Sequence, residues 1–209
     1  MIDLSNNNGN PKLHDWHKIF TVSGQRRAYL KAVEGTGFVD GTFVQMRQDA
    51  IAAGLKVGAY YFTHPLDESP KAAASFFLEH LAASPLRRAH DLRPCLDVEA
   101  GPASAGVGKG VTDVAAYMAA HTGVDPLIYG SAGFLQDCKF RRAPGPLWLA
   151  AYGKDDGHEY PIAPLPHPWT PAGYAAHQFT SRARVAGVHG LCDLSRVIIP
   201  SAVDIPLGR

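Results

Sequence analysis

Two acidic residues, Asp97 and Glu99, stand two positions apart in the run Leu96-Asp97-Val98-Glu99. Residues i and i+2 of a β-strand lie on the same face, so the two carboxylates would emerge side by side, roughly 6–7 Å apart. Like charges at that distance raise the pKa of at least one carboxyl group, and a carboxyl that stays protonated near neutral pH can protonate a leaving oxygen. Hydrolysis of a glycosidic bond uses this chemistry. In an alternative interpretation, one acid caps the next helix and the other pairs with an arginine.

The residues around this pair indicate a buried strand that ends at a site. Residues 92–98 are mostly apolar, and a glycine-rich segment containing Gly101, Gly106, Gly108 and Gly110 follows them. A short apolar run of this kind is typical of a strand that is buried on both faces. The strand would deliver its two acids to its carboxyl end.

The rest of the chain predicts a barrel around that strand. Strands are predicted at residues 1–4, 28–33, 56–62, 92–98, 126–129, 146–152, 174–179 and 188–194, with helices at 13–20, 41–53, 69–83 and 111–121 between the first five. Residues 153–171 hold five prolines, and about nine residues join the last two strands, which leaves little room for helices. We therefore predict an α/β fold, a modified TIM-like β/α barrel of eight strands with helices mainly after the first five, (β/α)5β3. The last strands are expected to pair as hairpins.

Active sites of such barrels lie at the carboxyl ends of the strands, so polar and aromatic residues at those ends are the candidates. Aromatic rings beside carboxylates suit a sugar, whose ring offers C–H groups for stacking and hydroxyls for hydrogen bonds. The alternative is that the aromatic residues belong to the core. The strand-end residues are Asp3, Tyr60, Phe62, Asp97, Glu99, Tyr129, Trp148, Tyr152, Gln178 and Asp193.

Composition limits the class of protein. The 209 residues, 46% hydrophobic and 19% charged, suffice for one well-buried core, and we expect a single domain over residues 1–209. A formal net charge of +1 argues against nucleic acid or a membrane surface as partner. The three cysteines form no C-x-x-C pair, and Cys95 is expected in the core. No cofactor or metal is predicted, and a monomer is expected.

With these residues in place, the chain resembles the glycoside hydrolase family 25 muramidases, which include Chalaropsis-type lysozymes and the catalytic domains of many phage endolysins. The resemblance covers nearly the whole chain, and the order and spacing of its motifs are more specific than any one of them. The matching blocks are IDLS (2–5) with Asn8-Gly9, KAVEGT (31–36), GLKVGAY (54–60), LDVE (96–99), PLIY (126–129), LWLAAY (147–152), HQFT (177–180) and CDL (192–194).

The resemblance implies a modified β/α barrel and hydrolysis of the β-1,4 bond between N-acetylmuramic acid and N-acetylglucosamine in bacterial peptidoglycan. It implies that Glu99 is the general acid and Asp97 its partner, and that Asp3 and Asp193 match two further site acids. The chain departs from the family at Tyr61, where a histidine is frequent, and at His177, where a tryptophan is frequent. These departures leave the details of the sugar contacts open and do not affect the predicted chemistry.

We hypothesise that Glu99 protonates the glycosidic oxygen while nearby carboxylates stabilise an oxocarbenium-like transition state. Asp97 lies on the same strand as Glu99 and therefore on the same side of the scissile bond. This is poor geometry for the Asp97 carboxylate to attack the anomeric carbon from the opposite face of the sugar. The acetamido oxygen of the substrate could attack instead, with Asp97 orienting it, and the resemblance leaves this open. The predicted substrate-binding residues are Asp3, Asp193, Tyr60, Tyr129, Trp148 and Gln178. Lys31 and Glu34 are expected to form an ion pair near the rim.

Three other functions stay open. The first is a metal-dependent peptidoglycan amidase, which the H-x-x-H spacing of His14 and His17 suggests, although no third metal ligand is recognisable. A non-catalytic barrel that binds wall glycan is the second, and a chitinase-like hydrolase is the third.

The start of the chain carries no basic segment followed by an apolar one, so no secretory signal is expected, and no apolar run approaches the ~18 residues of a membrane span. This fits a phage endolysin that stays in the host cytoplasm until release to the wall, or a component of the phage particle. A secreted enzyme trimmed of its signal would be extracellular.

Overall fold

Eight strands close into a barrel in the computed structural model, which describes residues 1–82, 91–162, 164–170 and 173–205. The sheet order is β1-β9-β8-β7-β6-β5-β4-β2-β3, and pairing of β1 with β2 closes the ring, with β3 outside it as a hairpin partner of β2. The strands are β1 (Ile2–Leu4), β2 (Arg27–Glu34), β3 (Phe38–Val39), β4 (Lys56–Phe62), β5 (Cys95–Asp97), β6 (Leu127–Ser131), β7 (Leu147–Ala150), β8 (Ala176–Ala183) and β9 (Cys192–Val197). The predicted eight-stranded α/β barrel is confirmed.

The helices lie mainly between the first barrel strands, as predicted. They are α1 (Trp16–Thr21), α2 (Phe43–Ala52), α3 (Pro70–Ala82), α4 (Ala105–Thr122), α5 (Ala132–Asp137) and the short α6 (Pro200–Val203). The last position of the helix predicted at residues 69–83 lies outside the described residues. No helix in the described ranges is long and apolar enough to cross a membrane.

The core has two layers because alternate residues of each strand point to opposite faces. The outer layer packs strand residues such as Leu30 and Leu96 against the helices. The inner layer fills the barrel below its mouth, and its buried members include Tyr29, Cys95 and Trp148. Cys95 therefore packs in the core, as predicted.

The carboxyl-terminal strands pair in two ways. β8 runs antiparallel to β9, and β9 antiparallel to β1, as expected for a short connection. β7 and β8, however, are parallel, so the prediction that all the last strands form hairpins is wrong for this pair. The proline-rich segment between them returns to the bottom of the barrel without a helix in its described residues.

The glycine-rich segment after Glu99 also differs from the prediction. Helix α4 begins at Ala105 rather than near residue 111, so Gly106, Gly108 and Gly110 are helical. A Cβ at Gly108 would lie 2.1 Å from the carbonyl oxygen of Cys138, and one at Gly110 would lie 2.9 Å from that of Pro65. These glycines therefore let neighbouring backbone pack directly on the helix.

Candidate active site

A pocket of about 190 Å3 opens at the carboxyl ends of the parallel strands, and it brings the predicted site residues together. All eight side chains predicted from the sequence line it: Asp3, Tyr60, Asp97, Glu99, Tyr129, Trp148, Gln178 and Asp193. Five further residues complete the lining: Asn7, Lys31, Phe62, Cys95 and Tyr152. The four acids thus converge on one cavity, as the barrel topology predicts.

Asp97 and Glu99 occupy different depths in this pocket. The backbone ladder continues past β5, since the Val98 amide donates to the Tyr129 carbonyl at 2.9 Å, and the buried Val98 belongs to the outer core layer. Asp97 is only 7% exposed, whereas Glu99 is exposed at the opening. Within the described part of the chain, the buried Oδ1 of Asp97 has no hydrogen-bond partner.

Burial is the main cause of the raised pKa values of both acids. The pKa of Asp97 is raised well above its ordinary value by burial, then by the charges of Glu99 and Asp3, while Lys31 opposes the rise. The pKa of Glu99 is raised by the loss of water around it and lowered in part by Lys31. An exposed carboxyl at the mouth with a raised pKa is well suited to donate a proton to an incoming ligand.

Neither acid serves the structural roles that the alternative interpretation gave them. Ser104 caps α4, with its side chain accepting from the Val107 amide. Neither Asp97 nor Glu99 forms an ion pair with any residue in the described ranges.

Lys31 supplies the positive charge that faces the acids. Its side chain is buried, and its ammonium group forms the predicted ion pair with Glu34. The ammonium nitrogen also lies 5.0 Å from the ring centroid of Phe62 and 5.4 Å from that of Phe38. Lys31 is therefore fixed between the rim and the pocket, where it lowers the pKa of both Asp97 and Glu99.

Asp3 and Asp193 form the opposite wall. Burial, together with the charges of Glu99 and Asp155, raises the pKa of Asp193 to about 6. Burial and the neighbouring Asp193 raise the pKa of Asp3 well above its ordinary value, and a hydrogen bond from Gln178 lowers it in part. At neutral pH the pocket thus holds several carboxyl groups that compete for few protons.

Gln178 connects Asp3 to two tyrosines. Its Nε2 group donates to both carboxylate oxygens of Asp3, at 3.2 and 3.0 Å. Its Oε1 atom accepts from the hydroxyls of Tyr129 at 2.7 Å and Tyr152 at 2.5 Å. Because both tyrosine hydroxyls donate to the amide oxygen, the amide nitrogen is forced to face Asp3.

The aromatic residues divide between pocket and core. Trp148 is 2% exposed, donates its indole N–H to Ser195 Oγ at 3.0 Å and packs against Tyr29 and Tyr129 with centroids 4.9 and 5.0 Å apart. It forms the floor of the cavity. Tyr60 is partly exposed and lines the wall beside Asp3 and Asp97.

The two departures from the family pattern face away from the pocket. Tyr61 donates to Glu68 at 2.6 Å and packs against Phe77 in the outer layer. His177 is fully buried, with Nδ1 2.9 Å from Glu159 Oε1 and Nε2 2.9 Å from the Ala151 carbonyl. Neither residue lines the pocket.

The histidines of the H-x-x-H spacing do not form a cluster. His14 is buried beside Trp16 and accepts a hydrogen bond from the His189 amide at 3.2 Å, whereas His17 is exposed. Across residues 1–82, 91–162, 164–170 and 173–205, no group of three or more His, Cys, Asp or Glu residues is arranged to hold a metal ion.

Two further lining residues, Tyr152 and Asn7, are not among the predicted substrate-binding residues. Tyr152 is one of the strand-end candidates, and its hydroxyl reaches Gln178 because β7 and β8 are parallel neighbours. Asn7 lies in the 3-10 turn Asn6–Asn8 after β1. The polar run after Asp3 was the available signal for Asn7.

Comparisons with known proteins relate the chain to lysozymes. Two curated relatives, the autolytic lysozyme of Clostridium acetobutylicum and lysozyme M1 of Streptomyces globisporus, are each 28% identical to the chain, over 194 and 197 residues. These matches cover 90% and 87% of the chain but 54% and 63% of the relatives, so the chain spans less than two thirds of their length. The crystal structure of the bacterial lysozyme from Streptomyces coelicolor is 27% identical and has a TM-score of 0.77, covering 94% of this chain and 90% of that one.

The family model for glycosyl hydrolases family 25 matches residues 2–188, a range that holds Asp3, Asp97, Glu99 and Gln178. The match extends over most of the chain and includes the whole set of parallel strands. The chain therefore belongs to glycosyl hydrolases family 25.

Proposed function

We propose that this protein is a muramidase that cleaves the β-1,4 bond between N-acetylmuramic acid and N-acetylglucosamine in peptidoglycan. The observation that carries the proposal is the convergence of four carboxyl groups on one pocket, with Glu99 at its opening and Asp97 buried beneath it. Membership of the family and the lysozyme relatives support the choice of substrate.

In the proposed reaction, Glu99 donates its proton to the glycosidic oxygen as the bond to the anomeric carbon breaks. The raised pKa of Glu99 keeps its proton available to a higher pH than an ordinary glutamate would. The positive charge that develops on the sugar is stabilised by the ionised members of the acid group. The leaving sugar takes the proton, and water completes the hydrolysis.

Asp97 is assigned the partner role. Its unpartnered Oδ1 in the described structure is free to accept a hydrogen bond from a bound sugar, such as the N–H of a 2-acetamido group. That contact would turn the acetamido oxygen towards the anomeric carbon, which favours its participation in the second step. Asp3, Asp193, Tyr60, Tyr129, Trp148 and Gln178 are assigned to substrate binding and to positioning of the central pair.

The experiment compares the native protein with Glu99→Gln on purified peptidoglycan, with mass analysis of the released fragments. We expect fragments that end in reducing N-acetylmuramic acid, and a rate lower by ~10² or more in the variant. Released free peptides would favour an amidase, reducing N-acetylglucosamine ends would contradict the bond assignment, and an unchanged rate in Glu99→Gln would contradict the acid assignment. The role as a phage lysin and the monomeric state stay predictions.

A further inference from the structure

A groove on the flank of the barrel collects basic side chains and shares no lining residue with the carboxylate pocket. It lies between the first half of α4 and the segment that follows α5, and its volume is about 700 Å3. Its basic residues are Lys109, Lys139, Arg141 and Arg142. Among the described lining residues the only acid is Asp113, which pairs with Lys109 at 2.5 Å.

Glycines in α4 build this groove. A Cβ at Gly108 would meet the Cys138 carbonyl oxygen at 2.1 Å, so the chain after α5 lies directly on the helix backbone. Gly106 also lines the groove, and it places no side chain in it. This close approach places residues 139–142 beside Lys109, although the two segments are separated by some thirty positions in the sequence.

The charge in the groove is unusual for this chain. Four positive side chains and one negative one line it, whereas the whole chain has a formal net charge of only +1. All four basic side chains are exposed, so none is held there by the packing of the core. Positive groups that face a common cavity repel one another, and a bound polyanion would relieve that repulsion.

We propose that this groove binds a linear polymer of the bacterial wall whose charges are phosphate diesters. The inference rests on the proposed function, which brings the protein to the wall. Arginine guanidinium groups bind phosphate oxygens through two parallel hydrogen bonds, and a phosphodiester stays ionised across the pH range of a folded protein. A volume of about 700 Å3 exceeds what a single phosphate fills, which favours several successive units of a chain.

The groove and the pocket are linked through the loop that follows β4. A Cβ at Gly106 would be 3.2 Å from Leu66, which belongs to the loop that follows β4. β4 itself contributes Tyr60 and Phe62 to the pocket. Binding of the anionic polymer would therefore hold the barrel on the wall while glycan occupies the mouth.

The test measures binding to purified wall sacculi in a Glu99→Gln background, so that the proposed cleavage does not consume the wall. One set of sacculi keeps its phosphodiester polymers, and the other has lost them to hydrofluoric acid. The groove variant is Arg141→Gln/Arg142→Gln. The control, Lys12→Gln/Lys71→Gln, removes the same charge from exposed positions elsewhere.

We expect the groove variant to bind polymer-bearing sacculi at least five-fold more weakly than its parent, and the control to bind like the parent. The slope of log affinity against log salt should become shallower by roughly 2 in the groove variant, as the loss of two phosphate contacts implies. Equal binding by parent and groove variant, or equal binding of the parent to both kinds of sacculi, would overturn the proposal. Binding of a DNA fragment as tightly as the wall polymer would also overturn it.

A second measurement separates this proposal from the proposed function. With Glu99 intact, Arg141→Gln/Arg142→Gln should hydrolyse soluble glycan fragments that lack the polymer at the native rate. A native protein that fails to hydrolyse these fragments would contradict the muramidase assignment and leave the binding result standing. A groove variant that loses hydrolysis of polymer-free fragments would contradict a role confined to polymer binding.

Discussion

Asp3 and Asp193 are directly opposite each other across the antiparallel pair of β1 and β9. Like charges in this relationship destabilise a sheet, and both side chains are largely withdrawn from water. The fold holds them there because β1 is paired on its other side with β2 and is buried at Ile2 and Leu4. The acid pair is thus imposed by the packing of the outer layer and raises the free energy of the folded state.

Replacing Asp193 with asparagine should stabilise the protein at neutral pH. The pKa of Asp193 is raised from 3.8 to about 6 in the folded state, so folded protein binds more protons than unfolded protein between these values. Stability therefore falls as pH rises through this window, and the full penalty is present above it. One-site linkage gives ~3 kcal/mol at pH 7, and sharing of protons with the neighbouring acids reduces our expectation to ~1–2 kcal/mol.

Denaturant unfolding of Asp193→Asn and native protein at pH 7 and pH 4 would measure this effect. The gain in free energy of unfolding of Asp193→Asn over native protein should be present at pH 7 and much smaller at pH 4, where the native carboxyl is protonated. Asp113→Asn, which removes an exposed acid paired with Lys109, should change the free energy of unfolding by less than ~0.5 kcal/mol. A variant that is less stable than native protein at pH 7 would contradict the repulsion argument.

Replacing Lys31 with glutamine should move the alkaline limb of activity to higher pH. Lys31 lowers the pKa of both Asp97 and Glu99, so its removal lets both pKa values rise. A general acid with a higher pKa stays protonated to higher pH, and the limb of kcat/KM that reports its ionisation follows. Profiles of kcat/KM against pH, measured on a soluble glycan, would show the shift. Lys71→Gln, which removes the same charge at another position, is the control. A limb that stays in place, or moves to lower pH, would show that Lys31 does not tune the acid.

Much of the site could be predicted from the sequence because the polar residues stand at strand ends. The alternation of residues along a strand put Asp97 and Glu99 on one face, and barrel topology brought Asp3 and Asp193 to the same mouth. The direction of β8 relative to β7 could not be predicted, because the proline-rich connection gives no helical signal for a crossover. That parallel pairing is what places Tyr152 beside Gln178.

The glycine-rich segment was misassigned because glycine is a poor helix former and its packing role depends on distant residues. Nothing local indicates that Gly108 packs on the carbonyl of Cys138. The histidine and tyrosine that depart from the family pattern illustrate the alternation of residues along a strand. His177 and Tyr61 follow inward-facing neighbours by one position, so both point outwards.

Replacing Gly108 with alanine should destabilise the protein by about 3 kcal/mol or more, because the new methyl group overlaps a backbone oxygen that cannot move freely. Gly133, in α5, offers the matched comparison, since a Cβ there meets nothing within 4 Å. Gly133→Ala should stabilise by roughly 0.5–1 kcal/mol through the unfolded state. Thermal unfolding of both variants would check the contrast. Equal effects at the two positions would mean that α4 can move away from the backbone at Cys138 with little loss of stability.

Removing the two tyrosine hydroxyls that bond Gln178 should have a cooperative effect on activity. Either hydroxyl alone keeps the amide oxygen engaged, so Tyr129→Phe and Tyr152→Phe should each leave the amide nitrogen on Asp3. Loss of both leaves the amide oxygen without these two donors, so the amide is less firmly held in place. The hydrogen bond from Gln178 that lowers the pKa of Asp3 is then weakened. A double-mutant cycle on kcat/KM should give a coupling energy of ~1–2 kcal/mol.

The control cycle combines Tyr129→Phe with Tyr160→Phe, whose hydroxyl donates to Asp156 on the surface at 2.8 Å. These two changes share no partner and should be additive within ~0.5 kcal/mol. The pH dependence of the Tyr129/Tyr152 double variant adds a readout that a packing defect would not move, because a higher pKa of Asp3 shifts its ionisation to higher pH. Additive effects of Tyr129→Phe and Tyr152→Phe would mean that the Gln178 amide is held by its other surroundings, and that the tyrosines act separately.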